Sequence, residues 1–240
     1  YDWKVLPEHI VFFPGLTSAL NAICSAFGKC GDGVVVQPPI YYPFLTAIKN
    51  QGRQIKHAPL KRKDKHECIG YEVDFGVLER TITTRTNLFL LCNPHNPIGK
   101  LYSTKVLGHI AQICERNDLI ICSDEIHCEL LLDQKRHHRP TATLSPEIAA
   151  RCITLMAPSK TFNLAGLSCG YAIIQNPALM EQVRKATAGI IPNVNVMGFA
   201  GALAAYRHGT EWLSELLPYL ATNRDYVIQY LSEYMPTIRT

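Results

Sequence analysis

The sequence predicts an α/β fold in which a mainly parallel sheet is sandwiched between helices. Three observations carry that expectation. Short β-branched runs alternate with longer stretches whose apolar residues recur at helical spacing, the rhythm of successive strand, helix and strand units. The strand candidates are apolar on both sides, as strands are when helices cover both faces of a sheet. At 240 residues and 47% hydrophobic content, the chain can bury a sizeable core, as one large domain or two smaller ones.

Taken in order, Ile10-Val11-Phe12-Phe13 is a buried-looking segment close to the start, and Pro14-Gly15 separates it from helical spacing over residues 16–27. A strand is expected at 33–37, a helix at 42–50 and a strand at 54–58. Lys61-Arg62-Lys63-Asp64-Lys65-His66 then reads as a solvated loop. A helix at 75–82 precedes a strand at 87–92, and a helix at 104–116 has Ser103 as its N-cap. After a strand at 119–122, Lys135-Arg136-His137-His138-Arg139 reads as a second solvated loop. Strands at 152–155 and 170–174 complete the sheet. From there the pattern is helical, at 177–188, 196–207 and 211–234, where Pro218 predicts a kink or a break between two helices. No internal repeat or low-complexity linker supports a boundary inside the chain.

Composition excludes several classes. The net charge of +4 is scattered, and neither basic cluster has the interleaved aromatics or helical face of a nucleic-acid surface. Nine cysteines, an odd number mostly inside apolar runs, fit buried free thiols in a reducing cytoplasm. No Cys-x-x-Cys pair occurs and the nearest combination is His127-Cys128, so no metal site is expected. No run approaches the roughly 20 apolar residues that a membrane helix needs.

Three segments at widening intervals carry the chemistry: Asn93-Pro94-His95-Asn96-Pro97-Ile98-Gly99-Lys100, Ser123-Asp124-Glu125, and Ala157-Pro158-Ser159-Lys160-Thr161-Phe162-Asn163. Together they read as a pyridoxal phosphate site. Lys160 follows an apolar strand, where desolvation favours the neutral amine that Schiff-base chemistry needs; the rival reading is a surface lysine. Asp124 ends another apolar run and is placed to hold a pyridinium nitrogen protonated, or else caps a helix. Asn96 sits on a loop between prolines whose amide can reach a phenolate oxygen, or it simply makes a turn. Pro14-Gly15-Leu16-Thr17-Ser18-Ala19 opens a helix whose amides can cradle a phosphate, or is only a helix start. Of Tyr41 and Tyr42, one can stack on a ring while the other fills the core. Ser159 is a further phosphate contact or a small residue that fits, and His127 either tunes the site or packs.

These segments, with Gln37-Pro38-Pro39-Ile40-Tyr41-Tyr42-Pro43-Phe44 and the continuations to His127 and Leu167, resemble the fold-type I pyridoxal phosphate enzymes, and within them the cystathionine β-lyase group. The resemblance runs along essentially the entire chain. It implies an aspartate aminotransferase-like large domain over residues 1–210, and a helix over 211–240 leading toward a small C-terminal domain. It makes Lys160 the Schiff-base lysine and catalytic base, Asp124 the partner of the ring nitrogen, and Asn96 the donor to the phenolic oxygen. Tyr41 would stack on the ring, and Gly15, Leu16 and Thr17 would form the phosphate cradle. An amino-acid substrate and a homodimer are implied in the same way.

One departure matters. Transaminases of the wider group carry an arginine eight residues after the lysine, where this chain has Ser168, and the lyase group resembles this chain in lacking it. The expected activity is therefore carbon–sulfur β-elimination, giving thiol, pyruvate and ammonia. A transaminase is the close rival, and a pyridoxal phosphate-binding regulatory domain is a third reading, although no basic recognition helix is present.

Overall fold

The computed structural model describes residues 1–65, 68–133 and 135–239. Chain order runs β1 (Ile10–Phe13), α1 (Leu16–Ala26), β2 (Gly33–Val36), α2 (Tyr42–Asn50), β3 (Gln54–His57), β4 (Lys61–Lys65), β5 (Cys68–Glu72), α3 (Phe75–Thr81), β6 (Thr86–Cys92), α4 (Thr104–Arg116) and β7 (Ile120–Asp124). It continues with α5 (Pro146–Ala149), β8 (Cys152–Met156), α6 (Pro158–Thr161), β9 (Gly170–Ile173), α7 (Pro177–Thr187), α8 (Val196–His208) and α9 (Thr210–Tyr234). Seven strands form one sheet in the order β1-β9-β8-β7-β6-β2-β3. Only β9 runs against its neighbours, pairing antiparallel with both β1 and β8. The expected mainly parallel sheet between helices is what forms.

Period-two alternation divides the core. Val34, Val36, Leu88, Leu90, Ile153 and Leu155 face one way and pack with α1, α2 and α7, whereas Val35, Phe89, Leu91 and Ile121 face α4 and its neighbours. Each such side chain, fully buried, contributes about 1.5–3 kcal/mol relative to exposure. That double burial explains why the strands are apolar throughout. Ser103 caps α4 as expected, its Oγ accepting the Val106 N–H at 3.4 Å.

From the junction of β2 and β6, the chain winds outward in both directions, to β3 on one side and through β7 to β8 on the other. The loops leaving the carboxyl ends of β2 and β6 must diverge there, opening the crevice where α/β sheets bind ligands. The backbone joins the two loops across it: Tyr41 N–H donates to the Asn96 carbonyl at 3.1 Å. His95 Nε2 lies 2.9 Å from the Pro39 carbonyl.

The structure corrects several expectations. Ile10–Phe13 is the edge strand β1, which a four-residue apolar run could not announce by periodicity. Lys61–Lys65 is not a loop but one strand of a two-stranded hairpin with β5, in register from Lys61 opposite Glu72 to Lys65 opposite Cys68. Every residue of β4 is charged, so that strand carries no apolar alternation; His66 lies outside the described residues. The second basic cluster is not wholly solvated either, because His138 is buried. The last helix, α9, continues through Pro218 without a break, as one 25-residue element.

Candidate functional site

Five connections leave the same end of the sheet, and each delivers part of a constellation. Tyr41 follows β2, Asn96 follows β6, Asp124 is the last residue of β7, Ser159 and Lys160 follow β8, and Gly15 follows β1. Gly15, Leu16, Thr17, Tyr41, Asn96, Asp124, His127, Ser159 and Lys160 all line one cavity of about 210 Å³. Thus the nine residues singled out in the sequence, drawn from five separate segments, meet in one place. Leu20, Phe44, Cys92, Ile126, Ser168 and Cys169 also line it. Cys92 adjoins a quoted motif and Ser168 was weighed only as a departure; no local pattern marked Cys169.

Gly15 takes φ of 95° and ψ of 156°, a conformation that glycine alone adopts without strain, and this lets the chain turn from β1 directly into α1. No side chain caps the helix. Leu16 and Thr17 of its first turn line the cavity, no side chain among the described residues caps their amides, and the helix dipole favours an anion there. Thr17 and Ser159 bring hydroxyl side chains to the same cavity.

Asp124 is nearly inaccessible, and its Oδ1 accepts the Ile126 N–H at 3.1 Å. Its Oδ2 has no hydrogen bond among the described residues, so the carboxylate end is left for a ligand. Burial raises its pKa to about 7, with the Ile126 amide opposing the shift, Glu125 adding to it and Lys160 opposing it. It does not cap a helix. His127 is held below the usual imidazole range by burial and by the positive charge of Lys160. Tyr41 is raised by burial, by Tyr42 and by Asp124. The two tyrosine rings meet edge to face at 5.2 Å, and both are exposed rather than one filling the core.

Lys160 lies on α6, a single turn opened by Pro158, and is exposed. The desolvation expected of it is thus not supplied by these residues. Cys92 anchors the opposite wall, its Sγ accepting the Asn96 N–H at 3.4 Å, and burial pushes its thiol pKa up. This donor set suits pyridoxal phosphate: free amides and hydroxyls for an anion at one end, and a buried acid with an unshared oxygen for a protonated ring nitrogen at the other.

A second constellation escaped the sequence reading. On the opposite face of β7 from Asp124, Glu125 is fully buried; its Oε1 accepts from Ser123 Oγ at 2.7 Å and Thr141 N at 2.9 Å, and its Oε2 lies 2.6 Å from His138 Nε2. Glu125 stood inside a quoted motif, but its partners lie 13 and 16 residues away and no spacing rule joins them.

Comparisons with known proteins agree with this geometry. A model of the family described as aminotransferase class I and II matches residues 2–239. Cystathionine β-lyase PatB of Bacillus subtilis (strain 168) is 38% identical over 244 aligned residues, covering 100% of this chain and 61% of the relative. Cystalysin from Treponema denticola, whose crystal structure contains a pyridoxal 5'-phosphate cofactor, superposes with a TM-score of 0.94 at 31% identity, over 100% of this chain and 60% of that one. OvoB superposes with a TM-score of 0.92 at 40% identity, over 97% and 60% respectively. The chain spans about 60% of the length of these relatives.

Proposed function

Because the chain belongs to the aminotransferase class I and II family, we propose that it forms the cofactor-holding part of a pyridoxal phosphate-dependent carbon–sulfur β-lyase acting on cystathionine or cysteine S-conjugates. The convergence of nine residues from five segments on one cavity, with a buried acid at one end and open helix amides at the other, supports this reading most directly. The likeness to cystathionine β-lyase PatB adds the reaction type.

Each residue has a chemical task. The amides of Leu16 and Thr17, with the hydroxyls of Thr17 and Ser159, hold the phosphate. Asp124 would keep the ring nitrogen protonated, Asn96 would donate its amide to the phenolic oxygen, and Tyr41 would lie against the ring. His127 lines the wall beside them. Bound in this way, the cofactor supplies an electron sink for charge at the substrate Cα. Lys160 Nζ removes the Cα proton, the electron pair left behind forms the Cα–Cβ double bond, and thiolate departs from Cβ. Hydrolysis of the resulting enamine yields pyruvate and ammonia. The active unit is a homodimer, for which the exposed Val196, Met197, Phe199 and Leu203 of α8 offer an apolar face. A reducing cytoplasm suits nine cysteines that are all free. Residues 1–210 form the cofactor domain and 211–240 lead toward a second, smaller one.

Transamination is the second reading, favoured by the family as a whole, since Lys160 Nζ can return its proton to a different carbon. Ser168, which lines the cavity in place of an arginine, tips the choice to the lyase. An absorbance titration with pyridoxal phosphate, against Lys160→Ala, followed by a pyruvate assay on cystathionine, tests the proposal. A lysine-dependent band with pyruvate release supports the lyase; amino-group exchange with a keto acid and no pyruvate supports the transaminase.

A further inference from the structure

Strand β7 presents Cys122 and Asp124 to one face of the sheet and Ile121 and Ser123 to the other, and Glu125, the residue after it, shares the side of Ser123. The carboxylate assigned to the ring nitrogen therefore has, directly behind it, a second buried carboxylate that does not reach the cavity. Among the described residues, three groups bond to the Glu125 carboxylate. Ser123 Oγ and Thr141 N–H share Oε1, His138 Nε2 meets Oε2, and Ser123 Oγ also lies 3.0 Å from Thr141 Oγ1. His138 and Thr141 stand at the far end of the excursion that leaves β7, so these bonds close it into a loop. Its near end is tied as well: Glu125 N–H donates to the Leu155 carbonyl at 2.9 Å, Cys128 N–H to the Glu125 carbonyl at 3.0 Å, and Asn93 N–H to the Asp124 carbonyl at 3.0 Å. A carboxylate with no exposure and three partners is an expensive group to bury, and it holds its geometry because losing any partner leaves buried polar atoms orphaned.

We propose that Glu125, clasped by Ser123, Thr141 and His138, is a positioning residue that sets the aim of Asp124 and His127 into the cofactor cavity. The proposal rests on the cofactor reading above. Glu125 touches neither ring nor substrate; it acts by locking, from the back of the sheet, the strand end that carries Asp124 and the first turn of the loop that carries His127.

The test compares Glu125→Ala, Glu125→Gln and the milder His138→Leu with the unmutated protein. Hydrogen exchange of the Cys128 amide, and of the Leu130 amide that donates to the His127 carbonyl at 3.0 Å, is read without cofactor, whereas affinity and band position are read on adding pyridoxal phosphate. In Glu125→Ala, loss of the clasp is expected to speed exchange at these amides and weaken cofactor affinity, each by about tenfold, and to shift the absorption band of the bound ring. Glu125→Gln retains an acceptor for Thr141 and Ser123 and is expected to stay within about threefold on both readouts. Should Glu125→Ala fail to fold, His138→Leu, which removes the one contact to Oε2, still has to show the same changes in smaller measure. A variant that exchanges faster yet binds with unaltered affinity and band would overturn the proposal, because the clasp would then serve folding alone. Weakened binding with unchanged exchange would overturn it too. No band in the unmutated protein would instead sink the cofactor reading, and with it the aim of Asp124, whatever the exchange data show.

Discussion

Replacing Asp124 with asparagine should stabilise the cofactor-free protein while weakening its hold on pyridoxal phosphate. The native carboxyl titrates at about 7 against an ordinary value of 3.8, because burial disfavours its charged form. Between those values, the folded state binds a proton that the unfolded state has released, so stability falls as pH rises through this window. The difference of about three units corresponds to about 4 kcal/mol, fully developed above pH 7 and reduced to about 1.5–2 kcal/mol at pH 5. Asparagine carries no charge to desolvate and can still accept the Ile126 N–H, so Asp124→Asn is expected to gain roughly those amounts. Urea unfolding of both proteins without cofactor, at pH 5 and pH 8, measures the two gains. A gain equal at both pH values, or a loss at pH 8, would refute the argument that the buried charge is held in readiness for a ligand. Saturating cofactor should reverse the order, since only the aspartate can pair with a protonated ring nitrogen.

Other consequences follow from the same geometry. Lys160→Ala should abolish the cofactor's Schiff-base band and lower pyruvate release by at least about 10²–10⁴-fold, the range of a lost general base, in a coupled assay. Gly15→Ala meets no steric obstacle but imposes a forbidden backbone angle; it should cost about 1–3 kcal/mol in thermal unfolding and weaken cofactor binding by distorting the amide cradle. Arg53 is buried with its guanidinium on the carbonyls of Cys24, Phe27, Asp32 and Gly33 and on the Asn87 side chain, so Arg53→Met should destabilise by about 3 kcal/mol or more in urea unfolding, through orphaned acceptors.

How far the sequence carried differs between the sheet and its surroundings. The parallel strands β2, β6, β7 and β8 were readable because burial on both faces leaves a run such as Asn87-Leu88-Phe89-Leu90-Leu91-Cys92 with no polar alternative. The capping serine at 103 was readable because it answers a local need, an orphan amide, whereas the backbone angle of Gly15 came only from the structure. The hairpin of β4 and β5 was not, since a solvated ribbon of lysines has no inner face to pattern. Pro218 predicted a kink or a break, and α9 runs through it without a break.

By itself, the sequence determined the strand and helix rhythm and the chemical types that the site would contain, because hydrophobic period and short motifs are local properties. Only the tertiary structure decided that Tyr41, Asn96, Asp124 and Lys160 would meet, since their convergence depends on four parallel strands ending on one edge. It alone decided that Lys160 stands exposed while Asp124 is sealed, and that His138, drawn from a basic surface cluster, turns inward to Glu125. Burial and the pairing of distant charges are properties of the packed chain: they set the electrostatic cost of each ionisable group, and no spacing along the sequence encodes them.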